Sequence, residues 1–327
     1  MTPAQSTHVD AAQPPGAFAD RLAEAVARRR TAVLVGLDPR FDQLPPATVR
    51  GVDPACPAAR AEAYRTFCRE IIDVVAPLVA AVKPQMAFFE ELGPAGMTAL
   101  ADVIAYARQR ELLVILDGKR NDIGSTAAAY AGAYLGAGPL SPWGADALTV
   151  SPYLGADSLE PFVDVAQERG AGVFVLVKTS NPGGGQFQDL PTPDRPLYRR
   201  VAALVHELAM RRPGAGGYGC VGAVVGATYP EQLAELRAAM PASWLLVPGY
   251  GAQGAGAKDV AAAFDANGLG AIVNSSRAIL FAHARKEFAG RFAADQWQLA
   301  VDAATREMIS ELAAETPTAR LGRLDSR

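Results

Sequence analysis

The chain has 327 residues, half of them hydrophobic and a fifth charged, the balance of a globular protein rather than a disordered or fibrous one. Its formal charge of -3 lacks the basic footprint that nucleic-acid binding draws on, and no stretch approaches the roughly eighteen continuous apolar residues of a membrane span. Three scattered cysteines, Cys56, Cys68 and Cys220, contain no CxxC pair, which argues against a disulfide framework or a thiolate zinc site and predicts buried thiols in a reducing compartment.

In chain order, residues 1–15 show no basic segment leading into an apolar one, so they are unlike a signal peptide and read as a disordered tail. A helix follows, FADRLAEAVARRR. Eight apolar runs then recur: AVLVGLD (32–38), LVAAVKP (78–84), LLVILDG (112–118), ALTVSPY (147–153), GVFVLVKTS (172–180), VGAVVGAT (221–228), WLLVPGY (244–250) and AIVNSS (271–276). They are continuous rather than alternating, as in strands buried on both faces of a parallel sheet. Helix-spaced segments such as AEAYRTFCREIIDVVAPL, AGMTALADVIAYARQR and RPLYRRVAALVHELAMRR separate them.

Eight such units predict an α/β fold, a (β/α)8 TIM barrel with an N-terminal helix extension and a C-terminal helix from about residue 295. The expected layout is one barrel domain over 16–313, with 314–327 as a C-terminal tail. An open doubly wound sheet is the alternative. Against it, no GxGxxG opens the first βα turn, and polar residues stand at the C-terminal end of nearly every run, where barrel sites are built.

Histidine is scarce: His8 is in the expected tail, His206 falls within a helical pattern, and His283 is the third. Proton chemistry is therefore expected from Lys, Asp or Glu. The ends of the first three runs supply Asp38, Lys83, Asp117 and Lys119, with Asp122 in the turn that follows. Asp117 and Lys119 face the same way if the extended backbone persists through Gly118. Opposite charges so placed hold one another ionised and keep a lysine ready as a proton donor. The plainer reading is a set of ion pairs closing strand ends.

After the seventh and eighth runs come PGYGAQGAG (248–256) and NSSRAI (274–279), where barrels often bind phosphate. Glycines there let backbone N–H groups approach the oxygens, Gln253 offers an amide and Arg277 a fork of donors. KTSNPGG (178–184) presents Thr179, Ser180 and Asn181 to a polar ring, or is simple turn chemistry.

The blocks VGLDPR, VKPQMAFFE, LDGKRNDIGST, VSPYLG, VKTSNPGG, PGYGAQG and NSSRAI together resemble the orotidine 5'-phosphate decarboxylase family, in its longer bacterial (type 2) branch, over roughly residues 30–280. The resemblance implies conversion of orotidine 5'-phosphate to UMP in de novo pyrimidine synthesis, with no cofactor and no metal. It implies that Lys119 protonates C6 and that Asp117 sits beside the substrate carboxylate. Lys83 and Asp38 would contact the ribose, and Ser180 the pyrimidine. Gln253, Arg277 and the amides around Ser276 would grip the 5'-phosphate. Asp122 and Thr126 would enter the site of a partner subunit, making a homodimer with shared sites. The insert 183–196 and the loop 249–257 would act as lids, and Ser151 and Met86 are given no role beyond lining a pocket. The expected partner is thus a phosphorylated pyrimidine nucleotide, with no nucleic acid or membrane, in the cytoplasm. Two other readings stand beside it: a metal-dependent sugar-phosphate aldolase or decarboxylase on the same barrel, which also carries DxKxxD, and a non-catalytic phosphate-binding barrel.

Overall fold

The computed structural model describes residues 16–136, 140–251, 254–288 and 290–326. The tail expected over 1–15, and His8 with it, lie outside them. The eight apolar runs form eight parallel strands closed into a barrel in sequence order: β1 (Val33–Leu37), β2 (Ala81–Pro84), β3 (Leu113–Arg120), β4 (Ala147–Val150), β5 (Gly172–Lys178), β6 (Val221–Val225), β7 (Leu245–Val247) and β8 (Ala271–Ser275). Ahead of β1 runs α1 (Phe18–Arg29). Long crossover helices follow: α2 (Pro57–Val75), α3 (Gly93–Gln109), α4 (Gly124–Tyr134), α5 (Ala156–Arg169), α6 (Leu197–Met210) and α7 (Pro230–Ala239). Among the described residues between β7 and β8 there are the short helix Ala257–Val260 and a 3-10 turn, and α8 (Trp297–Glu315) is the last α-helix. No described helix is long and apolar enough to cross a membrane.

The unbroken apolar runs follow from this closure. Strand residues alternate sides, and here both sides are dry. Val33, Val35, Val82, Val114, Leu116, Leu148 and Val150 face the helices in one buried cluster. Leu34, Ala81, Ile115, Ala147, Phe174, Val224, Leu246 and Ile272 fill the barrel in another.

α1 closes the barrel's lower end. Its Phe18, Leu22 and Val26 belong to the interior cluster, and Phe18 meets Phe174 edge-to-face with ring centroids 6.0 Å apart. A Cβ on Gly172 would lie 2.2 Å from the Phe18 ring, so the glycine lets the plug seat. Buried Asp146, just before β4, ties the layers together: it accepts from Arg21 of α1 at 2.7 Å, from Arg108 of α3 at 3.3 Å and from the Val114 N–H at 2.9 Å. Beyond α8 the chain continues as a 3-10 stretch, Pro317–Ser326, whose Leu321 is fully buried in the same interior cluster.

The three cysteines are free, yet only Cys68 is buried. Cys56 and Cys220 are part-buried because they stand just outside α2 and β6 rather than on inward faces.

The plug generates a prediction. Phe18→Ala should lower stability to urea by about 3–5 kcal/mol, the cost of emptying a buried aromatic site. Turnover by the folded fraction should be unchanged, because Phe18 lies at the end of the barrel away from the polar strand ends.

Candidate active site

The same alternation that fills the barrel with apolar side chains places polar ones in its uppermost layer. Lys83 of β2, Asp117 of β3, Thr149 of β4 and Asn274 of β8 line a cavity of about 300 Å³ at the strands' C-terminal ends. β1 contributes Gly36, where a Cβ would come within 2.0 Å of the Ser276 hydroxyl and 3.0 Å of the Asn274 amide oxygen. A glycine is needed for those two groups to reach the cavity.

Asp117 is the centre of the site. Its Oδ2 accepts from Lys83 Nζ at 2.7 Å and Gln85 Nε2 at 3.1 Å, and its Oδ1 from Lys119 Nζ at 2.7 Å and the Thr149 hydroxyl at 2.9 Å. Burial alone would raise this carboxyl's pKa, but Lys83 and Lys119, by charge and by hydrogen bonds, outweigh it and hold it well below the usual carboxylate range. Lys83 is 4% exposed. Burial would lower its pKa, and the charges of Asp117 and then Asp38 reverse the direction, keeping it an ammonium.

Lys119 reaches Asp117 by a different route from the expected one. The extended backbone does not persist: Lys119 has φ 45°, in the left-handed region. The β3–β4 register slips there as well, four steps along β3 from Leu116 to Arg120 being set against two along β4. Arg120 beyond the irregularity is held structurally. It donates to the Gly118 carbonyl at 3.0 Å and to Glu90, and lies over the rings of Tyr130 and Tyr134.

Of the other sequence candidates, Asp38, Ser180, Ser276 and Arg277 also line the cavity. One buried oxygen of Asp38 has no hydrogen-bond partner among the described residues. Arg277, exposed at the rim, forms no ion pair among them. Gln253 lies outside the described residues. Asp122 and Thr126 sit at the start of α4, away from this cavity, where the Asp122 carboxylate accepts from the Ile123 N–H at 2.8 Å. Met86 and Ser151 do not line it either. Met86 packs beneath Gly118, where its sulfur would lie 2.7 Å from an added Cβ.

The sequence reasoning missed Gln85, Thr149, Asn274 and Tyr250 as site residues. Gln85, two residues after Lys83, and Asn274, two before Ser276, were findable by strand alternation. Tyr250 was not, because its role is tertiary: it lines the cavity while its hydroxyl hydrogen-bonds Glu311 of α8. The insert after β5 is pinned at its base. Buried Lys178 donates to Asp189 at 2.5 Å between the rings of Tyr198 and Tyr229, and Gln188 exchanges hydrogen bonds of 3.0 and 2.7 Å with Thr179. Among the described residues, no three His, Cys, Asp or Glu side chains are grouped so as to hold a metal ion.

Residues 34–292 match the orotidine 5'-phosphate decarboxylase / HUMPS family. The chain belongs to that family. An orotidine 5'-phosphate decarboxylase from Rhodopirellula baltica is 61% identical over 297 residues, 90% of this chain and 98% of the relative. One from Deinococcus radiodurans is 46% identical over 277 residues, 85% and 94% of the two chains. Among solved structures, the OMP decarboxylase of Leishmania donovani superposes with a TM-score of 0.70 at 34% identity, over 91% of this chain and 98% of that one. The family match takes in Asp38 through Arg277, and so the whole polar layer of the cavity.

The charge array predicts a pH-dependent stability defect. Asp117→Asn should cost about 3–5 kcal/mol at neutral pH, since it leaves a buried ammonium without its counter-ion. In the wild type the raised pKa of Lys83 means its stabilising charge is fully present below the ordinary lysine value of about 10.4 and is lost only above it. In the variant burial prevails, Lys83 releases its proton at lower pH, and the stability gap should narrow between neutral pH and about 10. Urea unfolding across that range reads it; a constant gap would contradict the coupling.

Proposed function

We propose that this cavity converts orotidine 5'-phosphate to UMP and carbon dioxide, in de novo pyrimidine synthesis, with Lys119 as the proton donor. The observation that carries this is the bracketing of one buried carboxylate by two ammonium groups, each at 2.7 Å, in the polar layer of the barrel. When the C6–carboxylate bond breaks, its electron pair remains on C6 without a cofactor to accept it. A fixed positive charge beside that carbon stabilises the developing anion with little reorganisation. Lys119 then passes a proton from Nζ to C6, becomes a neutral amine and recovers a proton from water, to which 47% of its side chain is open.

Asp117 stands beside the departing carboxylate and holds both lysines in place. Lys83 and Asp38 take the ribose hydroxyls, the free oxygen of Asp38 suiting a hydroxyl donor. Ser180 addresses the pyrimidine, with the docked insert behind it, and Arg277, Ser276 and Gln253 hold the phosphate. Phosphate binding far from C6 thereby helps to order the loops over the reacting carbon. The sugar-phosphate aldolase reading needs an acidic ligand set for a cation at Asp117. Both oxygens of Asp117 are instead occupied, each by two donors.

We further propose a cytoplasmic homodimer, each subunit a single domain over the expected 16–313 with the stretch around Leu321 packed into it, and Asp122 and Thr126 completing the partner's site. The support is an apolar surface beside them: Ile123 is 57% exposed, and Tyr153 and Leu154 after the neighbouring β4 are 80% and 47% exposed.

Purified protein should remove orotidine 5'-phosphate absorbance in the presence of EDTA, and absence of decay would end the decarboxylase reading. Lys119→Ala should lower kcat by at least about 10³-fold, from loss of charge stabilisation and of the acid together. Mixing inactive Lys119→Ala and Asp122→Ala proteins should restore part of the activity through mixed dimers. No recovery under proven subunit exchange would refute shared sites.

A further inference from the structure

We infer that Thr149 is a positioning residue for the reaction: its single hydroxyl fixes the Lys119 backbone and the Asp117 carboxylate relative to each other. This rests on the decarboxylase reading above, to which it adds a residue outside the charged set.

The irregularity between β3 and β4 creates the need. Parallel pairing runs through Leu116↔Leu148 and resumes at Arg120↔Val150, leaving Asp117, Gly118 and Lys119 bulged opposite Thr149 alone. Extra residues in a bulge lose their ladder partners. A buried or half-buried amide left without one is costly. The Lys119 N–H finds its acceptor in the Thr149 hydroxyl oxygen, at 2.9 Å.

The same hydroxyl donates its one hydrogen to Asp117 Oδ1, also at 2.9 Å. A hydroxyl can do both at once, having one donor and two acceptor lone pairs. Thr149 is 1% exposed and stands on a strand, so water does not compete for either bond and its rotamer is held by packing. Its neighbours Leu148 and Val150 face the helices, which leaves Thr149 as the one β4 side chain directed at the cavity.

The left-handed φ of 45° at Lys119 gives the second half of the inference. A non-glycine residue in that region persists when its surroundings over-determine it. Here the constraint is double: the amide is tied to Thr149, and the side chain returns to Asp117, which Thr149 also orients. Thr149 thus sets where the Lys119 ammonium points through these two hydrogen bonds.

Thr149→Val keeps the shape and removes the hydroxyl; Thr149→Ser keeps the hydroxyl and removes the methyl. Counting only protein that binds UMP, Thr149→Val should lower kcat by about 10- to 100-fold, the effect of losing a hydrogen bond to a charged group. KM and UMP affinity should stay within about twofold, because the binding groups are elsewhere. Thr149→Ser should stay within about threefold of wild type in kcat, since its hydroxyl can make the same two bonds. Should the valine protein not fold, Thr149→Ala takes its place under the same expectations. Wild-type kcat in the hydroxyl-free variant, or a serine variant as slow as it, overturns the inference. So does a loss that appears in KM and UMP binding rather than kcat. If the wild type itself does not decarboxylate orotidine 5'-phosphate, the functional reading fails first and separately.

Discussion

A carboxylate taken out of water is costly unless cations and hydrogen-bond donors replace its hydration. Asp117 has that replacement in full: two donors at each oxygen, two of them ammonium groups at 2.7 Å. The barrel mouth is arranged around this requirement. Lys83 can stay charged at 4% exposure because Asp117 and, less strongly, Asp38 lie near it, and Asp117 stays ionised because the charges and hydrogen bonds of Lys83 and Lys119 outweigh its burial. Such mutual dependence favours the charged forms of Lys83 and Asp117 together. Lys119 is the half-exposed member of the array.

The fold supplies this array by repetition followed by one departure. Alternation along β2, β3, β4 and β8 brings Lys83, Asp117, Thr149 and Asn274 to a single layer, and the apolar layer beneath, closed by Phe18 of α1, keeps that floor rigid and dry. The departure is the bulge at residues 117–119, which turns Lys119 back toward Asp117. Around the rim the loops are tethered rather than loose: Lys178 and Gln188 fasten the insert after β5, and Tyr250 fastens the loop after β7 to α8.

Much of this was legible in the sequence because a barrel buries both faces of every strand. Eight unbroken apolar runs mark eight strands, and a charged residue at the end of such a run has few places to go except the mouth. The blocks from VGLDPR to NSSRAI carried the family resemblance as well. What the sequence hides is anything set by an exception to alternation or by tertiary contact. LDGKRND gives no local sign that Lys119 adopts a positive φ, and so none that Thr149, thirty residues later, must supply an acceptor. The Tyr250–Glu311 bond links residues far apart in the chain, and a helix pattern at 297–315 cannot announce it. Cys56 and Cys220 are part-buried because element boundaries, not residue type, decided their exposure.

The central claim is that the Lys119 ammonium is the group that exchanges a proton with C6. By microscopic reversibility the same group must act on the product, so the decisive measurement is proton NMR of UMP incubated with the protein in D2O. Wild-type protein should replace the C6 hydrogen, and only that ring hydrogen, with deuterium, while Lys119→Ala, with UMP still bound, should leave it in place. Exchange at C6 that proceeds equally in the Lys119→Ala protein would contradict the account.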